Sequence, residues 1–310
     1  MIICCGEALI DMLPRQGADN QLTFAPCVGG SAFNTAIALG RLGLPAGLFS
    51  GLSADFMGTM LRTTLAASGV DYTFSTHTPL PTTLAFVRLV DGQANYTFYD
   101  ENSAGRMLSP QDLPALSDSV QALLFGCISL IAEPCGSVYE SLMTREASRR
   151  VIFLDPNIRA VFIHDREKHL ARMQRMLLLA DIVKLSDEDL AWFDEQCDAD
   201  ETVARWLRQG VKIVVVTRGA QGADAWTAQG KLHIPATSVD VVDTVAAGDT
   251  VNAGILASLH QQGILSKSAL AEITLSQLRE AVTLGSRAAA ITVSRAGANP
   301  PWKAELLALN

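Results

Sequence analysis

The sequence predicts an α/β fold, a doubly wound and mainly parallel sheet flanked by helices, with a small antiparallel β flap beside it. Three observations carry this. Short β-branched runs alternate with longer helical patterns, as strands joined by crossover helices do. Four of the runs end in polar or glycine-rich residues, and one segment breaks the alternation with a hairpin signature.

In order along the chain, Ile2–Ile10 (IICCGEALI) reads as a first strand leading to Asp11. Leu22–Cys27 is a short extended piece, and Gly29-Gly30 then opens a helix on which Ala36, Leu39 and Leu42 recur at helical spacing. Pro81–Asn102 holds two period-two runs around Asp91-Gly92, a strong hairpin signal. The flap therefore combines about residues 12–28 and 80–102. It serves either as a lid over a polar pocket or as an edge extension that supports a homodimer, since an exposed edge strand invites pairing.

Val120–Ile131, Arg150–Pro156, Asp181–Ser186 and Lys212–Gly219 supply four more strands. Three of them end in Asp155-Pro156-Asn157, Ser186 and Thr217-Arg218-Gly219, which with Asp11 would share the carboxyl edge where open α/β sheets bind ligands. Val239–Thr244 is a further β-branched run before a small-residue segment, and Ser266–Gln277 is an amphipathic helical pattern. With no internal repeat and no low-complexity linker, residues 1–310 read as a single domain.

Composition narrows the function. Lys and Arg number 24 against 32 Asp and Glu, a net charge of −8, so no positive field gathers nucleic acid. The longest apolar stretch, Leu123–Ala132, is about half of the ~20 residues that cross a bilayer. The N-terminal segment carries acids within its apolar run and reads as a strand rather than a signal peptide, so a cytoplasmic protein without membrane partners is expected. The six cysteines (Cys4, Cys5, Cys27, Cys127, Cys135, Cys197) lack C-x-x-C spacing and read as reduced thiols, most of them buried. The five histidines are scattered without metal-ligand spacing.

The most informative stretch is Val239–Gly254. Small residues Ala246-Ala247-Gly248 precede Asp249 at the opening of a helix, where successive amides form a concave donor set for an anion. A carboxylate beside an anion hole repels what the hole attracts. It is explained if Asp249 takes a proton from a hydroxyl that attacks a phosphoryl group, and equally by simple helix capping. In Cys27–Gly43, Gly29 and Gly30 permit close backbone approach, and Asn34 offers a donor and an acceptor to sugar hydroxyls.

The Gly29-Gly30-x-x-x-Asn34 and Asp243-Thr244-x-x-Ala247-Gly248-Asp249 elements, with Asn34 and Asp249 215 positions apart, resemble the two signatures of the ribokinase-like (PfkB) carbohydrate kinases. The resemblance spans essentially the whole chain. It is strongest toward bacterial fructokinases, through Cys127–Pro134, Asp155–Arg159 and Ile182–Glu188. It implies phosphorylation of a primary hydroxyl of a small sugar by ATP, with D-fructose the leading substrate. 2-Keto-3-deoxygluconate, another ketohexose or a nucleoside remains open, as does a catalytically silent sugar-binding regulator. Tyr96, Tyr99 and Asn102 of the flap would set the choice.

Carried over by position, the resemblance makes Asp249 the catalytic base and the amides of Ala246, Ala247 and Gly248 its anion hole. Asp11, Gly29, Gly30 and Asn34 lie on the sugar side. Glu133 matches a sugar-side acid or caps the helix after Pro134. Arg159 sits near the transferred phosphate or in a surface salt bridge. Thr217, Gly219, Gly222 and Ser286 fall on the nucleotide side, with Lys184 either on a phosphate or at the surface. Magnesium arrives with ATP. Asp243 stands where an activating monovalent cation, potassium, would bind, or caps a loop. Ser186 and Asp189 replace an Asn-x-x-Glu pair, so Asp189 would reach magnesium through water. Position 246 is Ala where many relatives have Gly, and the hole is expected to need a negative φ there. No G-x-x-x-x-G-K-[ST] occurs, so a P-loop kinase is excluded.

Overall fold

Residue 6 divides what reads as one first strand into two. In the computed structural model, which describes residues 1–90, 93–193 and 198–308, Ile2–Cys5 forms β1, and the chain then turns at Gly6 and Glu7 into β2 (Leu9–Gln16) of a different sheet. Any Cβ on Gly6 would lie 2.9 Å from that of Ala32, so the turn packs directly on the first helix. Asp11 therefore belongs to the flap, a correction to its expected place at the edge of the main sheet.

The chain continues through β3 (Leu22–Gly29), α1 (Ser31–Arg41), β4 (Ala46–Phe49), β5 (Gly51–Ser53), α2 (Phe56–Ala67), β6 (Val70–Asp71) and β7 (Thr76–Thr78). Then come β8 (Leu84–Val90), β9 (Gln93–Tyr99), β10 (Ala122–Gly126), α3 (Cys135–Glu146), β11 (Val151–Asp155), α4 (Arg166–Leu177) and β12 (Ile182–Ser186). The remainder is α5 (Asp187–Phe193), α6 (Ala199–Gln209), β13 (Ile213–Thr217), β14 (Ala223–Thr227), β15 (Gly230–Ile234), α7 (Ala247–Gln261), α8 (Lys267–Ala271), α9 (Leu275–Val293) and α10 (Lys303–Leu307).

The main sheet runs β15-β14-β13-β12-β11-β10-β1-β4-β6, parallel except where β14 pairs antiparallel with both neighbours. Apart from Lys184 of β12 and the polar residues at the strand ends, its central strands are apolar because both faces are covered. Ile2 and Cys4 pack toward the layer that holds α1, α7 and α9, and Ile3 and Cys5 toward the layer of α3, α4 and α6. Helices α7 and α9 cross closely, since a Cβ on Gly254 would meet the Gly285 Cα at 2.4 Å. That contact fixes the helix whose first turn carries Asp249.

The flap is a four-stranded sheet, β3-β2-β8-β9. Both hairpins are antiparallel as expected, but β2 and β8 join in parallel, so the flap is mixed rather than wholly antiparallel. The Asp91-Gly92 turn lies outside the described residues, as does Cys197. The five described cysteines are free thiols, four of them buried. Two further readings are corrected. Val239–Thr244 is irregular rather than a strand, with Val241 and Val242 exposed, because the amides of Val242 and Asp243 bond the Val293 carbonyl instead of a sheet neighbour. The Ser266–Gln277 pattern is two helices, parted where Thr274 caps α9. The β14–β15 hairpin has no counterpart in the sequence reading.

Candidate active site

Asp249 is the third residue of α7, and its carboxylate is held from α1. The Ser31 hydroxyl donates to Oδ1 at 2.6 Å, and the Asn34 amide donates to Oδ2 at 2.9 Å. Asn157, after β11, donates in turn to the Ser31 hydroxyl at 3.2 Å. The side chain is 7% exposed, and burial, opposed by the Ser31 and Asn34 bonds, pushes its pKa up to about 6. A carboxylate oriented by two donors and poised near neutral pH is equipped as a general base.

Around it lies a cavity of about 310 Å³ between the flap and the carboxyl edge of the main sheet. Asp11, Gly30, Asn34, Arg159, Lys184, Ala246, Ala247 and Gly248 line it with Asp249, so the two signature elements meet here. Asp11 faces in from β2, and burial together with the Glu7 charge raises its pKa to about 6. Gly29 lies behind it: a Cβ there would stand 2.4 Å from Asp11 Oδ2. From the flap, Phe98 meets Phe162 edge to face with ring centroids 4.7 Å apart, so the flap rests on the body over the cavity.

Ala246 overturns the expectation of a negative φ. Its φ is +61° and its ψ 12°, left-handed, immediately before the right-handed first turn of α7. Alternating hands turn successive amides to one side, the geometry of a backbone anion nest, so the positive φ is compatible with a hole there. The Ala247 amide also contacts the Thr244 carbonyl at 3.3 Å. Of the six described non-glycine residues with positive φ, Cys127, Asn157 and Ala246 line this cavity, strain concentrated where function is expected. Ala246→Gly should accordingly stabilise the protein by about 0.5–1 kcal/mol, the relief of a left-handed alanine less the extra freedom of an unfolded glycine. Thermal unfolding checks this, and an unchanged or lowered Tm would show that Ala246 is not strained.

Glu133, Ser186, Asp189, Thr217, Gly219, Gly222, Asp243 and Ser286 lie outside the cavity lining. Glu133 pairs with Arg172 and accepts the Ser137 amide at 3.2 Å, a cap on α3. Asp189 accepts the amides of Ile158 at 2.8 Å and Ser186 at 3.0 Å. Asp243 accepts those of Val245 at 3.0 Å and Gly297 at 2.8 Å, tying two loops together. Thr217 ends β13, and Gly219 and Gly222 turn the chain with φ of +52° and +92°. Ser286 is half-buried on α9. Lys184 is buried rather than at the surface, paired with Asp155 at 3.1 Å.

Sequence reasoning missed Ser31 and Glu7. Ser31 follows Gly30 directly, and as the first residue of a helix opened by Gly-Gly it carried a signal that could have been used. Glu7 accepts the Ser31 amide at 2.8 Å, a contact only the turn at Gly6 creates.

The pfkB family carbohydrate kinase model matches residues 1–305. The chain belongs to the pfkB family of carbohydrate kinases. This pfkB kinase is 56% identical over 279 residues to a fructokinase of Rhizobium leguminosarum bv. trifolii, covering 90% of this chain and 86% of the relative. It is 34% identical to a fructokinase of Klebsiella pneumoniae over 84% of each chain. The crystal structure of a Xylella fastidiosa fructokinase with bound ATP superposes with a TM-score of 0.91 at 28% identity, over 99% of this chain and 97% of that one. A Vibrio cholerae fructokinase with fructose, ADP and calcium ion gives 0.84 at 25% identity, over 99% and 97%.

Proposed function

We propose that this pfkB kinase transfers the γ-phosphoryl group of ATP to a primary hydroxyl of D-fructose. The observation that carries the mechanism is the Asp249 carboxylate, held by Ser31 and Asn34 beside the left-handed nest at Ala246. The sugar oxygen attacks the γ-phosphorus, its proton passes to Asp249, and the bond to the β-phosphate oxygen breaks to release ADP. The amides of Ala246, Ala247 and Gly248 face the charge that grows on the transferred group, and Arg159 at the cavity mouth adds a guanidinium. Asp11 and Asn34 hold sugar hydroxyls. The flap, seated by Phe98 on Phe162, keeps water from competing as acceptor. The choice of fructose rests on the 56% identical fructokinase.

The nucleotide would lie along the edge of β12 and β13, past Thr217, Gly219 and Gly222. Magnesium would neutralise phosphate charge. Among the described residues no group of three or more His, Cys, Asp or Glu side chains is arranged to hold a metal ion, so ATP itself would carry it. Asp189, its two oxygens on amides, would meet that ion only through water. The loop that Asp243 ties to Gly297 is the place for potassium. A homodimer through the flap accounts for the exposed Leu22 and Tyr99 on its strands. No helix among the described residues is long and apolar enough to cross a membrane, in keeping with a cytoplasmic enzyme.

ADP release from MgATP with potassium present, across D-fructose, 2-keto-3-deoxygluconate, ribose, tagatose and adenosine, tests the reading. Fructose-dependent turnover well above the rest is expected. Faster turnover with another acceptor would replace the substrate, and silence with sugar still bound would favour a regulator.

A further inference from the structure

We propose that Asp155 is a positioning residue of this site: it pins the Lys184 ammonium against the first turn of α7 and keeps that charge from pairing with Asp249. The inference rests on the kinase reading and adds the group that governs the cation beneath the nest.

Three polar side chains lie buried behind the base. Asp155 ends β11 at 1% exposure, Lys184 sits on β12 at 4%, and Asn252 on α7 at 0%. Asp155 Oδ2 accepts from Lys184 Nζ at 3.1 Å and from the Asn252 amide at 2.7 Å. Asn252 is three residues after Asp249, on the same side of α7. A Cβ on Gly248 would stand 2.8 Å from Lys184 Nζ, so the ammonium reaches the nest backbone only because residue 248 has no side chain. Asp155 itself is fixed by close backbone contact, since a Cβ on Gly126 would overlap its carbonyl oxygen at 1.9 Å.

A merely structural role explains this cluster poorly. A buried ion pair is weak evidence of stability, because desolvation offsets most of its attraction. Moreover Asp155 Oδ1 and Asn252 Oδ1 are buried and accept no hydrogen bond from the described residues, so the cluster keeps acceptor capacity that the ion pair does not use.

The placement has a sign. Asp249 faces neutral donors on α1 (Ser31, Asn34), the Cys4 and Cys127 thiols, the Asp155 carboxylate, the Lys184 ammonium and, from the cavity mouth, Arg159. Asp155 makes Asp249 harder to ionise and Lys184 makes it easier. With Asp155 neutral, Lys184 is released toward Asp249, and the base weakens.

Sugar-dependent turnover of the full chain against pH tests this. In Asp155→Asn the acid limb of kcat/KM for the sugar should move roughly one unit lower, and kcat at pH 8 should fall about tenfold or more, with sugar KM nearly unchanged. In Asp155→Asn/Lys184→Met, which leaves no buried charge unpaired, the limb should return to the wild-type position while kcat stays at least about tenfold down. If Asp155→Asn alone does not fold, the double variant decides. A limb that stays in place in Asp155→Asn, a loss confined to KM, or an unchanged kcat in the double variant would overturn the proposal. Absence of wild-type turnover with every acceptor would instead overturn the kinase reading on which it rests.

Discussion

Replacing Asp249 by Asn is expected to lower kcat by about 10²–10⁴-fold, the contribution of a positioned general base, while leaving KM for the sugar nearly unchanged. Asparagine keeps the shape and an oxygen for the Ser31 hydroxyl, yet it cannot take the proton. The same substitution has a stability consequence of opposite sense. Burial raises Asp249 from 3.8 to about 6 in the folded protein, so the folded form binds this proton more tightly than the unfolded chain. The stability it contributes is present below about pH 4 and is lost as pH rises through about 6. Asn, neutral throughout, should therefore raise the unfolding free energy at pH 8 by on the order of 1–2 kcal/mol and change it little at pH 4. Steady-state kinetics and paired unfolding curves at the two pH values check both halves. Near-normal turnover would remove Asp249 from the chemistry, and a loss of stability at pH 8 would mean that the drop in kcat reports misfolding.

Local pattern carried the parts of the molecule whose cause is local. β11, β12 and β13 were legible because strands covered on both faces are apolar, with Lys184 of β12 the one interior exception, and their polar ends announced the sheet edge. Asp249 stood out because small residues before an acid at a helix start, which helix capping alone explains equally well, here fall in the Asp-Thr-x-x-Ala-Gly-Asp family signature. What failed was set by contacts between distant segments. Nothing in Val239–Val242 says that the Val293 carbonyl will take the amides of this loop. Ala246 looked like a defect because intrinsic preference disfavours its φ, whereas the nest requires that hand and the crossing of α7 with α9 holds the turn in place. For Lys184, read as a phosphate contact or a surface residue, the surface alternative failed because burial of a lysine needs a partner, and Asp155 is 29 positions away on the neighbouring strand.

Gly30→Ala should be the most damaging small substitution at the site that leaves every polar group in place. Gly30 precedes α1 with φ +109° and ψ 135°, a conformation open to glycine alone, and a Cβ would stand 2.5 Å from the Glu7 carbonyl oxygen. That oxygen accepts the Phe33 amide at 3.3 Å, and the Glu7 carboxylate accepts the Ser31 amide at 2.8 Å, so α1 cannot retreat without breaking both. Its first turn must shift, and with it Ser31 and Asn34, the two side chains that aim Asp249. A displacement of about 1 Å at a base costs on the order of 10²-fold, and the backbone strain adds about 1–3 kcal/mol of destabilisation. KM for ATP should move little if the nucleotide lies as proposed along Thr217, Gly219 and Gly222, which belong to other elements. Gly69→Ala separates the two effects. Gly69 has φ +71°, and a Cβ there would meet no atom within 4 Å, so that variant carries strain without a clash. It should lose about 1 kcal/mol of stability and keep its turnover. Equal loss of activity in the two variants would show that general destabilisation, rather than the aim of Asp249, limits the reaction.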